Sequence, residues 1–239
     1  MPAADVRIAN LEGPITARGK MELGERPRFA FEPKRGAELA RLLDVATLAN
    51  NHALDQGAEG RDDSARALAI PVAWEGHDAV LERRGRRVVV IARDLMRSDP
   101  DEIVRAVQAA RGVILVSLHW GQEGSLLPNR AQRQLAARLV DAGATAVLGH
   151  GPHTIQGIER RGRAVIAYSL GNFALACRCS EVTDGMLLRF TIDGDGVRDV
   201  EPIPIVAGIE HAPQPSNDPG LRQLISNLSS DLSAADRRP

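Results

Sequence analysis

Short aliphatic runs alternate with helix-length amphipathic segments through much of the chain, and strands alone follow. Residues 6–9 read as a strand ending at Asn10-Leu11-Glu12, and residues 33–43 as a helix with Leu39, Leu42 and Leu43 on one face. Residues 45–48 form a buried-type run that ends at Asn50-Asn51-His52. Residues 87–91 predict a strand paired, through the Arg84-Gly85 turn, with the segment before it. Asp99-Pro100-Asp101-Glu102 then opens a helix: Asp99 suits the cap, Pro100 the first helical position, and the two acids the positive end of the dipole. Gly112 ends it, and residues 113–118 form a strand that delivers His119. A helix over 128–142 and a strand over 146–148 repeat the unit and deliver Gly149-His150. Strands are predicted over 154–158, 164–169, 186–192 and 197–205, with turns at Arg161-Gly162 and at residues 193–196. The order predicts an α/β core whose sheet continues into hairpins. From about Ala212 the chain turns to Pro, Ser, Asn and Asp, which predicts a peripheral tail over 211–239, after a main domain over 1–210, with one weak helix near 221–228.

Composition narrows the partners. Lys and Arg number 30 against 31 Asp and Glu, a net charge of −1, without the basic excess that a general nucleic-acid binder needs. Aromatics are only 3% of the chain, so the core is aliphatic. No apolar run reaches the roughly 18 residues of a membrane span, and residues 1–12 lack an apolar secretory segment, so the chain as written is expected to be soluble and cytoplasmic by default. Cys177 and Cys179, separated by one residue, read as two free thiols rather than a metal or redox pair.

The polar residues that close the apolar runs carry the chemistry. Glu12, Asn51, His119 and His150 each stand at or just beyond the carboxyl end of such a run, where ligand sites of open α/β sheets gather. They are therefore expected to converge on one rim. Taken singly, each has an ordinary alternative: a solvated surface Glu, a turn with Asn side chains bonding locally, a satisfied buried His. Gly149-His150-Gly151-Pro152-His153 is the strongest single signal, because two imidazoles three apart in a Gly/Pro turn can face one locus and suit Zn, Fe or Mn. Four of the six histidines fall in such clusters, and His77 and His211 do not. No Walker or dinucleotide fingerprint is present, and Asn227-Leu228-Ser229 is read as a chance glycosylation match.

Asn10-Leu11-Glu12, Ala49-Asn50-Asn51-His52 with Asp55 and Gly57, His119-Trp120-Gly121 with Glu123, Gly149-His150-Gly151-Pro152-His153, and Tyr168-Ser169-Leu170-Gly171-Asn172-Phe173 follow one another in order. This series resembles the CapA-type poly-γ-glutamate capsule-synthesis proteins of the calcineurin-like metallophosphoesterase superfamily. The resemblance covers about residues 1–175 and weakens toward 205. It implies an αββα sandwich of two mixed β-sheets flanked by helices, the fold of metallo-dependent phosphatases. It also implies a rim for two divalent ions (Mn, Fe or Zn): Glu12 bridging both, Asn51, His119 and His150 completing one shell, and His153 serving the other. His52 resembles the family's imidazole outside the metal shells, with Asp55 as its orienting partner, and Tyr168–Phe173 is expected to support the rim.

Relatives normally begin with a strand ending in Gly-Asp, whose aspartate binds the first ion. In the chain as written that strand is expected to be missing, leaving Glu12 and His153 for one ion, and relatives are often anchored or exported through such N-terminal sequence. Two functions follow: a metal-dependent hydrolase of phosphate esters or related bonds, or a non-catalytic assembly factor for an anionic exopolymer with an incomplete metal site. A closed structural zinc site fits poorly, because such sites favour cysteine.

Overall fold

The computed structural model describes residues 4–24, 27–174, 184–207 and 212–235. Cys177, Cys179 and His211 lie outside the described residues. The chain divides into two compact units, Met1–His119 and Trp120–Pro239.

The first unit opens with β1 (Ile8–Asn10), α1 (Lys34–Ala40), β2 (Val45–Thr47), α2 (Gly57–Leu68) and β3 (Val72–Ala73). These strands form a parallel sheet in the order β1-β2-β3, with Asn10 opposite Thr47. Parallel pairing puts the carboxyl ends of β1 and β2 side by side, so the segments after them are neighbours. Ile15, Ala46, Leu48, Ala53, Leu68 and Val72 make the core beneath them. α2 has no counterpart among the predicted elements, because its residues are mostly small or charged; it is positioned by contacts instead. Gly36 of α1 lies so close to α2 that a β-carbon there would stand 2.3 Å from the Ala67 carbonyl oxygen.

Further along come β4 (Ala79–Arg83), β5 (Arg86–Asp94), α3 (Pro100–Ala109) and β6 (Val113–His119). β4 and β5 form the predicted hairpin, and β5 runs parallel to β6. Asp99 caps α3 as expected, its carboxylate accepting the Asp101 N–H at 2.8 Å. β5 runs three residues past the predicted end at Ile91, and its register sets Asp94 directly beside His119. The Thr47 and Ser117 hydroxyls, 3.1 Å apart, join β2 to β6.

α2 also fastens the loop after β1. The Ser64 hydroxyl accepts the Ile15 N–H at 2.8 Å, and Asp63 accepts the Thr16 hydroxyl at 2.5 Å as well as Arg66 and Arg18. Thr16 first, then the two guanidiniums, hold the Asp63 carboxyl down at about 2, below its ordinary value. A carboxylate whose folded pKa is depressed contributes stability above its unfolded pKa of about 3.9 and loses it as pH falls toward the folded value. Urea midpoints measured from pH 5 to pH 2 are therefore expected to fall more steeply for the native chain than for Asp63→Asn, which starts lower at neutral pH. Parallel curves would show that this contact carries no proton linkage.

The second unit contains α4 (Arg130–Asp141), β7 (Ala146–His150), β8 (Ile158–Arg161), β9 (Ala164–Ala167), β10 (Asp184–Asp193), β11 (Gly196–Val206), β12 (Gln214–Pro215) and α5 (Pro219–Ala235). β7 pairs in parallel with β9, and β8 closes an antiparallel hairpin on β9. β10 and β11 form a long hairpin with a bulge between Arg189 and Thr191, and β12 adds to its edge. A capping box starts α4: Asn129 accepts the Gln132 N–H while the Gln132 side chain accepts the Asn129 N–H. α5 is twice the predicted length and packs on β8 and β11. Its buried Leu221, Ile225, Leu228 and Leu232 recur at helical spacing, a stripe diluted by the Ser and Asn between.

Candidate functional site

Glu12 leaves the end of β1 on a short turn. Asn10 donates to its Oε2 at 2.9 Å, and Asn50 in turn donates to Asn10 Oδ1 at 3.0 Å and to the Leu11 carbonyl at 2.8 Å. This chain of amides orients the carboxylate. Asn50 is fully buried and makes these bonds, whereas Asn51 is exposed and its carbonyl accepts Arg97 at 3.4 Å. The role of Asn50 was legible only as a crowding of two amides.

Glu12 Oε1 faces His119 Nε2 at 3.4 Å, and Asp94 Oδ1 faces the opposite ring nitrogen, Nδ1, at 3.7 Å. His119 Nε2 is buried and makes no well-aligned hydrogen bond among the described residues. Burial alone would lower the His119 pKa, but Asp94 and Glu12 outweigh it and push it up to about 9. Burial alone would raise Asp94, yet His119, the Met96 N–H and Arg97 hold it below the ordinary carboxylate range. Asp94 is wholly buried, and its own N–H is taken by the Glu75 carboxylate at 2.8 Å. It is the residue that sequence reasoning missed. Its signal is weak: Asp94 stands just beyond the aliphatic run of β5, but Arg93 interrupts the run before it.

This arrangement fits a divalent cation. An imidazole nitrogen and a carboxylate oxygen each about 2.0–2.2 Å from one tetrahedral ion stand roughly 3.4 Å apart, longer than a hydrogen bond. The two carboxylates also make the pocket favourable to positive charge. Among the described residues no three His, Cys, Asp and Glu side chains form a finished cage; Asp94 lies on the far side of the His119 ring, where a ligand's supporting carboxylate belongs.

His52 follows Asn51 in the turn after β2. Its Nδ1 lies 2.8 Å from Asp55 Oδ2, which also accepts the Phe29 N–H at 2.6 Å. A carboxylate only accepts, so His52 Nδ1 carries a proton and Nε2 is the working nitrogen. The ring also packs on Phe29, with centroids 4.4 Å apart. His52 and Asp55 are thus brought together as expected for an oriented imidazole.

In the second unit His150 ends β7, and its carbonyl accepts the Trp120 N–H at 2.9 Å. His153 has a left-handed backbone, φ 57°, unusual for a residue with a side chain. Asn172 holds it there: its Oδ1 lies 2.9 Å from His153 Nδ1, and its amide donates to the His153 carbonyl at 3.0 Å. The Tyr168–Phe173 segment therefore orients an imidazole and leaves its Nε2 as the outward nitrogen.

The chain resembles a Mycoplasma pneumoniae protein described as a novel phosphatase, with a TM-score of 0.56 and 12% identity over 92% of this chain and 85% of that one. A hypothetical protein from Thermus thermophilus superposes with a TM-score of 0.57 at 17% identity, over 84% and 87% of the two chains. The chain therefore shares the mixed α/β fold of these two proteins. The family of the bacterial capsule synthesis protein PGA_cap matches residues 1–89 and 70–176, and the chain belongs to that family. The Bacillus subtilis PGA biosynthesis protein CapA is 28% identical over 98% of this chain and 70% of its own length. The Bacillus anthracis capsule biosynthesis protein CapA is 28% identical over 69% of this chain and 48% of its own. A probable polyglutamine synthesis accessory protein of Mycobacterium tuberculosis is 30% identical over 71% and 55% of the two. No helix among the described residues is long and apolar enough to cross a membrane.

Proposed function

We propose that this capsule-synthesis family member is a metal-dependent hydrolase of the phosphoesterase type, acting on a phosphate ester or related bond in the making of an anionic exopolymer such as poly-γ-glutamate. The observation that supports it most is the buried His119 Nε2 facing the Glu12 carboxylate at 3.4 Å, with a second carboxylate behind the ring. Glu12, Asn51, His119, His150 and His153 are the proposed ligands of Mn, Fe or Zn, and the ordered motifs support the set. Bound divalent ions would polarise the phosphoryl group and lower the pKa of water. Asn10 and Asn50 keep the Glu12 carboxylate turned toward His119. Asp55 holds His52 in the tautomer whose Nε2 can exchange a proton with a leaving oxygen.

The test is calorimetric titration of the full chain with Mn or Zn, followed by turnover of an aryl phosphate. Saturable uptake that Glu12→Gln and His119→Ala abolish is the expected result; uptake indifferent to both overturns the ligand assignment. Asp94→Asn keeps the shape but removes the charge behind His119, and is expected to weaken metal binding about 10–100-fold. Unchanged affinity in that variant would reduce Asp94 to a packing role.

The second reading, a non-catalytic assembly factor, is favoured by the accessory role for which the mycobacterial relative is named. Exopolymer yield in cells carrying His52→Ala separates the two: loss of polymer with the fold intact supports chemistry, and normal yield supports a scaffold.

A further inference from the structure

We propose that a cavity of about 400 Å³ in the second unit, between one face of α4 and the β8–β9 hairpin, binds a carboxylate-bearing, amide-linked chain. Its size lies within the range of small-ligand pockets. Arg130, Arg133 and Gln134 come from α4, Glu159 and Arg161 from β8, and Tyr168 from just beyond β9. The spacing of 130, 133 and 134 puts these three side chains on one stripe of the helix. Three guanidiniums therefore line the same hollow as one carboxylate. Arg161 is paired with Asp141, 3.4 Å away. The first turn of α4 adds the positive end of its dipole.

The floor decides the ligand class. Glu159 is buried, and one of its oxygens accepts the Tyr168 hydroxyl at 2.7 Å, which fixes the carboxylate beneath the arginines. Planar guanidiniums pair with carboxylate or phosphate oxygens two at a time. A carboxylate at the floor repels a bare phosphate seated deep but accepts an N–H. A ligand that offers carboxylates above and an amide N–H below satisfies both, and an acidic peptide-like polymer does so. This inference rests on the polymer half of the proposed function and is independent of the metal.

The experiment is fluorescence anisotropy of the full chain with a labelled short γ-linked glutamate oligomer. Inorganic phosphate and polyacrylate, which has carboxylates and no amide, serve as competitors. Arg130 is exposed and Arg133 partly exposed, so Arg130→Gln with Arg133→Gln removes two charges without emptying a buried site. The pair is expected to weaken binding about tenfold or more, the equivalent of about 1.4 kcal/mol, while Arg222→Gln, exposed on α5, has no such effect. Polyacrylate is expected to compete less well than unlabelled oligomer. Binding unaffected by the α4 pair overturns the site, and equal competition by polyacrylate or phosphate overturns the ligand class. Metal uptake measured on the same preparation keeps this failure distinct from failure of the hydrolase reading.

Discussion

His52→Ala is expected to lower phosphate-ester turnover by about 10²–10⁴-fold, the range for removing a positioned general acid or base, while metal uptake is retained. His52 sits at the end of a short relay in which the Phe29 N–H and His52 Nδ1 share Asp55 Oδ2. That relay occupies one ring nitrogen and leaves the other for proton transfer, so the alanine variant loses the proton carrier together with the ring's contact on Phe29. Asp55→Asn is the companion. Its amide oxygen can still accept from Nδ1 but holds the ring less firmly than the carboxylate does, so turnover is expected to fall, less steeply than in His52→Ala. The measurement is kcat for both variants, with metal content determined in parallel. Full activity in His52→Ala would remove the imidazole from the chemistry. Loss of activity accompanied by loss of metal would move it into the ligand set.

Gly149→Ala is expected to be the most destabilising small change at the candidate site. Gly149 lies in β7, immediately before His150, where a β-carbon would stand 1.9 Å from the Tyr168 carbonyl oxygen and 2.5 Å from Trp120 Nε1. Those two atoms are themselves hydrogen-bonded at 2.8 Å, and both residues are buried. A methyl group there must displace backbone and an indole together, at a cost of about 3 kcal/mol or more. Chemical denaturation of the two proteins measures it. A loss below about 1 kcal/mol would mean that β7 and the Tyr168 segment separate easily, leaving His150 less firmly held than the packing indicates.

Much of this architecture was legible because its signals are local. Asp99 and Pro100 announce α3, Arg84-Gly85 announces the β4–β5 hairpin, and the aliphatic runs before His119 and His150 announce β6 and β7. α2 was not legible. Its sequence, rich in Gly, Asp, Arg and Ala, has a weak apolar stripe, and its place depends on Gly36 and on Asp63 and Ser64 gripping the loop after β1. α5 was underestimated for a related reason: four buried aliphatics spread over a polar helix look like a frayed tail until the sheet that covers them is known.

The candidate chemistry divides in the same way. His52 and Asp55 are three residues apart, so a single turn can join them and sequence suffices to suspect the pair. Asp94 and His119 are far apart along the chain and meet only through the parallel register of β5 and β6. Asn50 reaches Asn10 and the Leu11 carbonyl, beside Glu12, because the parallel strands β1 and β2 end at the same side of their sheet. By itself the sequence determined the family, the α/β class and the residue types suited to a divalent cation, since these follow from motifs and from hydrophobic period. Tertiary structure alone decided which nitrogen of His119 faces Glu12, that a buried aspartate stands behind it, and that Asn172 clasps His153. Strand register and backbone geometry set those relations, and neither is written in any one segment of the chain.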